Sequence, residues 1–231
     1  MFGIDPLYIM IMLPALVLAG LASLLTRSTF SKYSKQRASS GLTGAQAARR
    51  LLSTQGVSDV TIEQVDGFLS DHYDPRSMTL RLSPDVYASQ SLSAIGVACH
   101  EAGHALQHAT SYAPLTLRSA LVPIAQFGSF GSYIFIMLGM FTSVLGLVKI
   151  GLMLFSVTVL FSLVTLPVEW NASMRAKQLM VSAGIVTPSE QSAAGAVLNA
   201  AFMTYIAAAL TALLTLLYYL IRSGLLGGRR D

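Results

Sequence analysis

Long apolar runs alternate with two polar stretches along this chain. A membrane crossing needs about 20 apolar residues. Pro6–Leu25 supplies one such run. Leu121–Val168 is too long for one crossing and reads as a hairpin of Leu121–Leu147 and Ile150–Val168, turning near Lys149. Ala200–Ile221 is the fourth run, rich in the small residues that let helices approach closely. The polar stretches carry finer signals. Residues 26–42 are Ser-rich and read as a linker. Thr43 is placed to cap a helix through Leu52, with Gly56 ending it. Val60–Val65 is β-branched and reads as a strand. Asp66-Gly67 is a hairpin signal with Phe68–Tyr73 as partner strand. Asp74-Pro75-Arg76-Ser77 is a second turn, and Met78-Thr79-Leu80-Arg81-Leu82 alternates as a third strand. Ser83-Pro84-Asp85 opens a helix, and Ser91–Ala109 has helical periodicity. After the hairpin, helix is expected to Val181, with Ala183-Gly184 as its stop. Pro188 then opens the helix that runs into the last span.

The implied fold class is mainly α: a multi-pass membrane protein with about four transmembrane helices and a small α+β domain built on an antiparallel sheet. The expected divisions are an anchor at 1–25, the small domain at 26–119, the transmembrane hairpin at 120–168, a helical segment at 169–199, and a C-terminal span with a short basic tail at 200–231.

Composition agrees with membrane insertion. The 231 residues are 53% hydrophobic and only 11% charged, whereas soluble proteins carry about 25% charged residues. Charge placement suggests an orientation. Nine Lys/Arg lie in 26–119 and two in 169–199, against four in the remainder. The positive-inside rule then puts the small domain in the cytoplasm and both termini outside. No Lys or Arg precedes the first apolar run, and that run is long for a signal peptide, so an uncleaved anchor is expected. A single cysteine, Cys99, excludes an intrachain disulfide. The basic residues cluster beside the membrane without interleaved aromatics, which argues for contact with the lipid bilayer and against nucleic-acid binding.

His100-Glu101-Ala102-Gly103-His104 fits H-E-x-x-H. Residues four apart on a helix sit one above the other. Two imidazoles so spaced can hold one Zn²⁺, and the Glu between them can reach the water that the metal activates. Glu101 would take the proton of that water and pass it to the leaving amine. With four His and four Glu in the chain, about 0.001 such matches are expected by chance. A catalytic zinc site also needs a third protein ligand. The metzincin extension would need Gly at 107 and His at 110, where this chain has Gln107 and Thr110. Two candidates remain. His108 drifts off the ligand face and suits a supporting role better. Glu169 abuts the end of an apolar run, where an ionisable residue marks function.

Taken together, these residues resemble the YugP-type membrane zinc metallopeptidases. The matching stretches are Asp71-His72-Tyr73-Asp74-Pro75-Arg76, Arg81-Leu82-Ser83, Val86-Tyr87, His100–His104, Leu166-Pro167-Val168-Glu169, and Ala172-Ser173 with Arg175-Ala176, in order across roughly residues 40–215. A more distant similarity runs to HtpX-like and CAAX prenyl proteases, where a Glu-x-x-Ala-Asp stretch supplies the third ligand. Glu169-Trp170-Asn171-Ala172-Ser173 is similar, which implies that role for Glu169. Ser173 replaces the distant group's Asp, and Asn171 stands where Asp is expected in the nearer family. Asn171, Ser173 and His108 are therefore the candidates for supporting the ligands.

The resemblance implies a zincin-like domain and an endopeptidase with one Zn²⁺, acting on protein or peptide substrates in or beside the membrane. In peptidases of this build an edge strand before the zinc helix pairs with the substrate, which would make Met78–Leu82 the substrate strand. His72, Tyr73 and Arg175 are candidate oxyanion stabilisers. Two rivals stand beside this reading. An intramembrane site-cleaving protease would need the motif inside a span and an Asp-Gly ligand in another, but Asp66-Gly67 lies upstream in polar sequence. A catalytically silent, metal-stabilised scaffold or adaptor would need none of the catalytic groups that are present.

Overall fold

A computed structural model describes residues 5–67 and 70–226. Seven helices and three strands follow in the order α1 (Pro6–Ser34), α2 (Gly44–Thr54), β1 (Thr61–Gln64), β2 (His72–Asp74), β3 (Thr79–Leu82), α3 (Pro84–Tyr87), α4 (Leu92–Ala109), α5 (Ala113–Thr142), α6 (Leu145–Ser182) and α7 (Pro188–Arg222). The protein is mainly helical, and α1, α5, α6 and α7 are long and apolar enough to cross a membrane. Phe68, Leu69 and the basic tail at Arg229-Arg230 lie outside the described residues.

The chain divides into two compact units. One comprises 1–21, 117–167 and 204–231, and the other 22–116 and 168–203. In the first, helices meet through small residues. A Cβ on Gly139 would come 2.7 Å from Val148, and one on Gly151 would come 2.8 Å from the Ser132 carbonyl oxygen. Ile136, Val148 and Leu152 form a small buried cluster there. Asp5 ties the start of α1 to α7, accepting a hydrogen bond from the Tyr218 hydroxyl at 3.0 Å.

The second unit is built around α4, thirteen of whose 18 residues are buried. Ser91 caps it by accepting from the Ala94 amide at 3.2 Å. The small residues of α4 let neighbours approach. A Cβ on Gly103 would come 2.6 Å from the Ala172 carbonyl oxygen on α6, and one on Gly96 3.1 Å from that of Ala194 on α7. Leu51 and Leu52 of α2, Leu80 and Leu82 of β3, and Met180 of α6 complete this core. Thr43 makes a full capping box with Gln46 at the start of α2.

Three expectations are corrected. Residues 26–34 are helix rather than linker, because no Gly or Pro stands between Gly20 and Gly41 to stop α1. The α5–α6 turn falls at Ser143-Val144, where Ser143 takes φ 57°, and not near Lys149. The sheet is mixed, in the order β1-β3-β2. β1 runs parallel to β3 rather than pairing with its sequence neighbour, and the hairpin is β2–β3. Burial explains the order. β3 presents the fully buried Leu80 and Leu82 to the core and takes the centre, while β1 is mostly exposed and takes an edge.

Candidate metal centre

His100 and His104 lie one turn apart on α4, their ring centroids 4.8 Å from each other in an edge-to-face arrangement. Glu169 reaches them from α6. Its Oε2 is 3.1 Å from His100 Nε2 and 3.5 Å from His104 Nε2. These three residues offer one ligand atom each within 4.8 Å of one another. Glu169 is 1% exposed and His104 7%. A buried carboxylate needs partners to offset its desolvation, and the two imidazoles are among those of Glu169. Burial works to depress the His104 pKa, but the Glu169 hydrogen bond and the charges of Glu169 and Glu101 outweigh it and raise that pKa above its ordinary value. Two neutral-capable imidazole nitrogens and a carboxylate oxygen are the donor set of a catalytic zinc site, so the residues present fit the metal.

The ring nitrogens that face away from Glu169 are also occupied. His100 Nδ1 lies 3.1 Å from Ser173 Oγ. His104 Nδ1 lies 3.0 Å from Gln107 Oε1. Gln107 is fully buried. Its Nε2 donates to the Val168 carbonyl at 2.8 Å and to Asn171 Oδ1 at 3.0 Å. Asn171 therefore reaches His104 only through Gln107. In the sequence Gln107 stands out only as the residue where the metzincin extension would need Gly. The available signal was a polar residue three positions after a ligand, on the apolar side of a helix.

Glu101 is partly exposed, and its carboxylate has no hydrogen-bond partner among the described residues. The remaining candidates are spread more widely. Tyr73 OH lies 2.9 Å from His108 Nδ1. Burial, with the charges of Asp59 and Asp74, pushes the Tyr73 pKa up to about 12. His108 is exposed and is not among the grouped ligand atoms. His72 pairs in register with Arg81, one strand position from Tyr73 and so on the opposite sheet face. Its Nδ1 lies 2.7 Å from the Ser70 carbonyl oxygen. Arg175 donates from Nε to Asn171 Oδ1 at 2.9 Å and from Nη1 to the Leu106 carbonyl at 3.4 Å. It also lines a cavity of about 650 Å³ with Asp59, Thr110 and Gln178. Asp71 and Asp74 serve the fold, accepting from the Ser83 amide at 2.8 Å and the Arg76 amide at 3.0 Å.

The proposed substrate strand Met78–Leu82 does not fit the sheet. β3 is the central strand, with its backbone groups already engaged by β1 on one side and β2 on the other. Met78 precedes it in a left-handed conformation, φ 48°. A strand paired on both edges has no free ladder to offer a peptide.

Comparison with known proteins gives the family. Residues 8–224 match the family described as "Putative neutral zinc metallopeptidase". The chain is also 47% identical over 215 residues to a Bacillus subtilis (strain 168) protein named "Putative membrane protease YugP", covering 93% of this chain and 96% of that one. No solved structure matches it.

Proposed function

Because the chain belongs to the neutral zinc metallopeptidase family, we propose that it is a membrane-embedded, zinc-dependent endopeptidase that cleaves membrane or membrane-adjacent proteins. The observation that carries this reading is the convergence of His100 Nε2, His104 Nε2 and Glu169 Oε2 from two helices. These three residues would hold the zinc. When bound there, zinc supplies a Lewis acid that activates water and polarises a carbonyl. Glu101 follows a ligand by one residue, about 100° round the helix, so it flanks the metal position without joining it. Its carboxylate takes a proton from the attacking water and returns it to the leaving amine.

The substrate backbone is assigned to β2 rather than β3. β2 is an edge strand, and Tyr73 on it reaches His108 of α4, one turn beyond His104. An extended peptide added there would lie along the helix that carries the motif. The charge distribution supports a cytoplasmic active site with both termini outside.

The purified protein in detergent is expected to cut casein and to stop when a zinc chelator is added; casein left intact by zinc-loaded protein would overturn the reading. In a Cys99→Ala background, Ser58→Cys is expected to resist a membrane-impermeant maleimide in intact cells. Labelling from outside would invert the orientation.

A further inference from the structure

The two imidazoles of the metal centre are held in different ways. Behind His100 stands a hydroxyl, Ser173 Oγ, 3.1 Å from Nδ1. A hydroxyl can donate or accept, so it selects neither tautomer of the ring. Behind His104 stands an amide, and its orientation can be worked out from fixed points. A guanidinium only donates, so the Asn171 atom 2.9 Å from Arg175 Nε is oxygen. That same oxygen lies 3.0 Å from Gln107, which must therefore present its nitrogen there. The Val168 carbonyl, which only accepts, receives the second Gln107 N–H at 2.8 Å. Two acceptors thus claim the NH₂ end of the side chain. The oxygen end is left facing His104 Nδ1 at 3.0 Å, and an amide oxygen only accepts.

We infer that Gln107 is a positioning residue that holds a proton of His104 on Nδ1, so that Nε2 is the nitrogen whose lone pair is left for the metal. The inference rests on the zinc reading above. Gln107 needs the full chain of partners for this. Alone, the amide could turn over and donate to Nδ1, which would move the ring proton to Nε2 and block the ligand atom. Arg175 and Asn171 prevent that turn from one side and the Val168 carbonyl from the other. The residue is fully buried, so water does not compete for either end of the amide. Partners that orient metal-bound histidines are typically worth 10–100-fold in metal affinity.

The test compares three variants of the full-length protein in detergent. Zinc affinity is read by chelator competition, metal-free stability by thermal melting, and the ring protons by NMR of the ¹⁵N-histidine-labelled, zinc-loaded protein. Gln107→Met removes the acceptor. It is expected to weaken zinc binding by about 10–100-fold and to abolish the protected, hydrogen-bonded Nδ1–H resonance of His104. Gln107→Glu keeps an acceptor oxygen for Nδ1 but loses both donors and faces two acceptors. It is expected to melt lower than Gln107→Met while binding zinc more tightly than it. Asn171→Ala, at a partly exposed position, frees one end of the amide and is expected to give a smaller loss of affinity with a weakened Nδ1–H signal.

The inversion between the stability order and the affinity order is the outcome that a purely structural role cannot produce. Zinc affinity that simply tracks melting temperature across the three variants would overturn the inference. So would an unchanged affinity and an unchanged Nδ1–H resonance in Gln107→Met, or in Asn171→Ala if the Gln107 variants do not fold. Wild-type protein that takes up no zinc would instead overturn the metallopeptidase reading on which the inference stands.

Discussion

In α5 the largest apolar side chains point outward: Phe127, Phe130 and Phe141 are 82%, 75% and 91% exposed. The positions where its unit closes up are small, Ser132 and Gly139 on α5 and Gly151 on α6. The unit that carries the candidate metal centre reverses this order. Leu51, Leu80, Leu82 and Ile95 are inside with no exposure, and Gln107 and Glu169, two polar residues that a water-soluble fold would ordinarily leave outside, are buried with them. The two regions use the same helix-packing device, since Gly103 brings α4 against α6 as Gly151 brings α6 against α5. They differ in what that closeness serves. In a lipid-facing unit close packing is itself the driving force, because burying apolar surface gains little there. In the other unit it sets the distance between two helices that each contribute residues to the candidate metal site, and the cost of burying polar groups is met by hydrogen bonds among those groups.

Replacing the proposed base, Glu101, tests this comparison most sharply. Glu101→Gln keeps the size of the side chain and removes only its ability to take a proton. It is expected to lower turnover by about 10²–10⁴-fold, with zinc content and melting close to wild type. Peptide cleavage at equal rates in the two proteins would show that the polar group beside the ligands is not there for chemistry.

Next in size is the proposed third ligand. Glu169→Ala is expected to reduce zinc affinity by at least the 10–100-fold associated with losing an outer partner, since it removes a first contact. His108→Ala is expected to leave zinc binding nearly intact, because its ring is engaged with Tyr73 and not with the other ligand atoms. The reverse result, measured by chelator competition, would move the metal centre toward the sheet.

The smallest expected effects separate the two uses of glycine. Gly103→Ala places a methyl 2.6 Å from the Ala172 carbonyl oxygen. It is expected to destabilise by about 1–3 kcal/mol and to weaken zinc binding, because α4 and α6 must part. Gly151→Ala meets similar crowding in the other unit. It is expected to lower the melting temperature in detergent with zinc affinity unchanged. Gly20→Ala meets nothing within 4 Å and is expected to change neither. Zinc loss in Gly151→Ala as large as in Gly103→Ala would erase the distinction between the units.

Several features were legible in the chain itself. The presence of four long apolar helices, the cap at Thr43, the helix that starts beside Ser91, and the stop at Gly184 (φ 63°) depend on local chemistry, and the structure has them. The spacing of His100 and His104 is likewise a property of one helix. Errors arose where local signals competed or fell silent. Asp66-Gly67 is a sound turn signal, yet β1 pairs with β3, because strand order follows which strand can bury both Leu80 and Leu82. The α5–α6 turn fell on Ser143, which carries no strong breaker.

By itself, then, the sequence determined the membrane class, the helical periods, and the motif that puts two imidazoles on one helix face. Each follows from the spacing of residues within a single segment. Tertiary structure decided which glutamate faces those imidazoles, which strand is left with an open edge, and what stands behind His104. Glu169 lies 65 residues beyond His104, and Gln107 gains its meaning only from Val168, Asn171 and Arg175 on another helix. The physical reason is that ligand geometry and amide orientation are set by distances between helices. Those distances come from how closely small residues such as Gly103 let two helices pack, a quantity that no single segment of the chain contains.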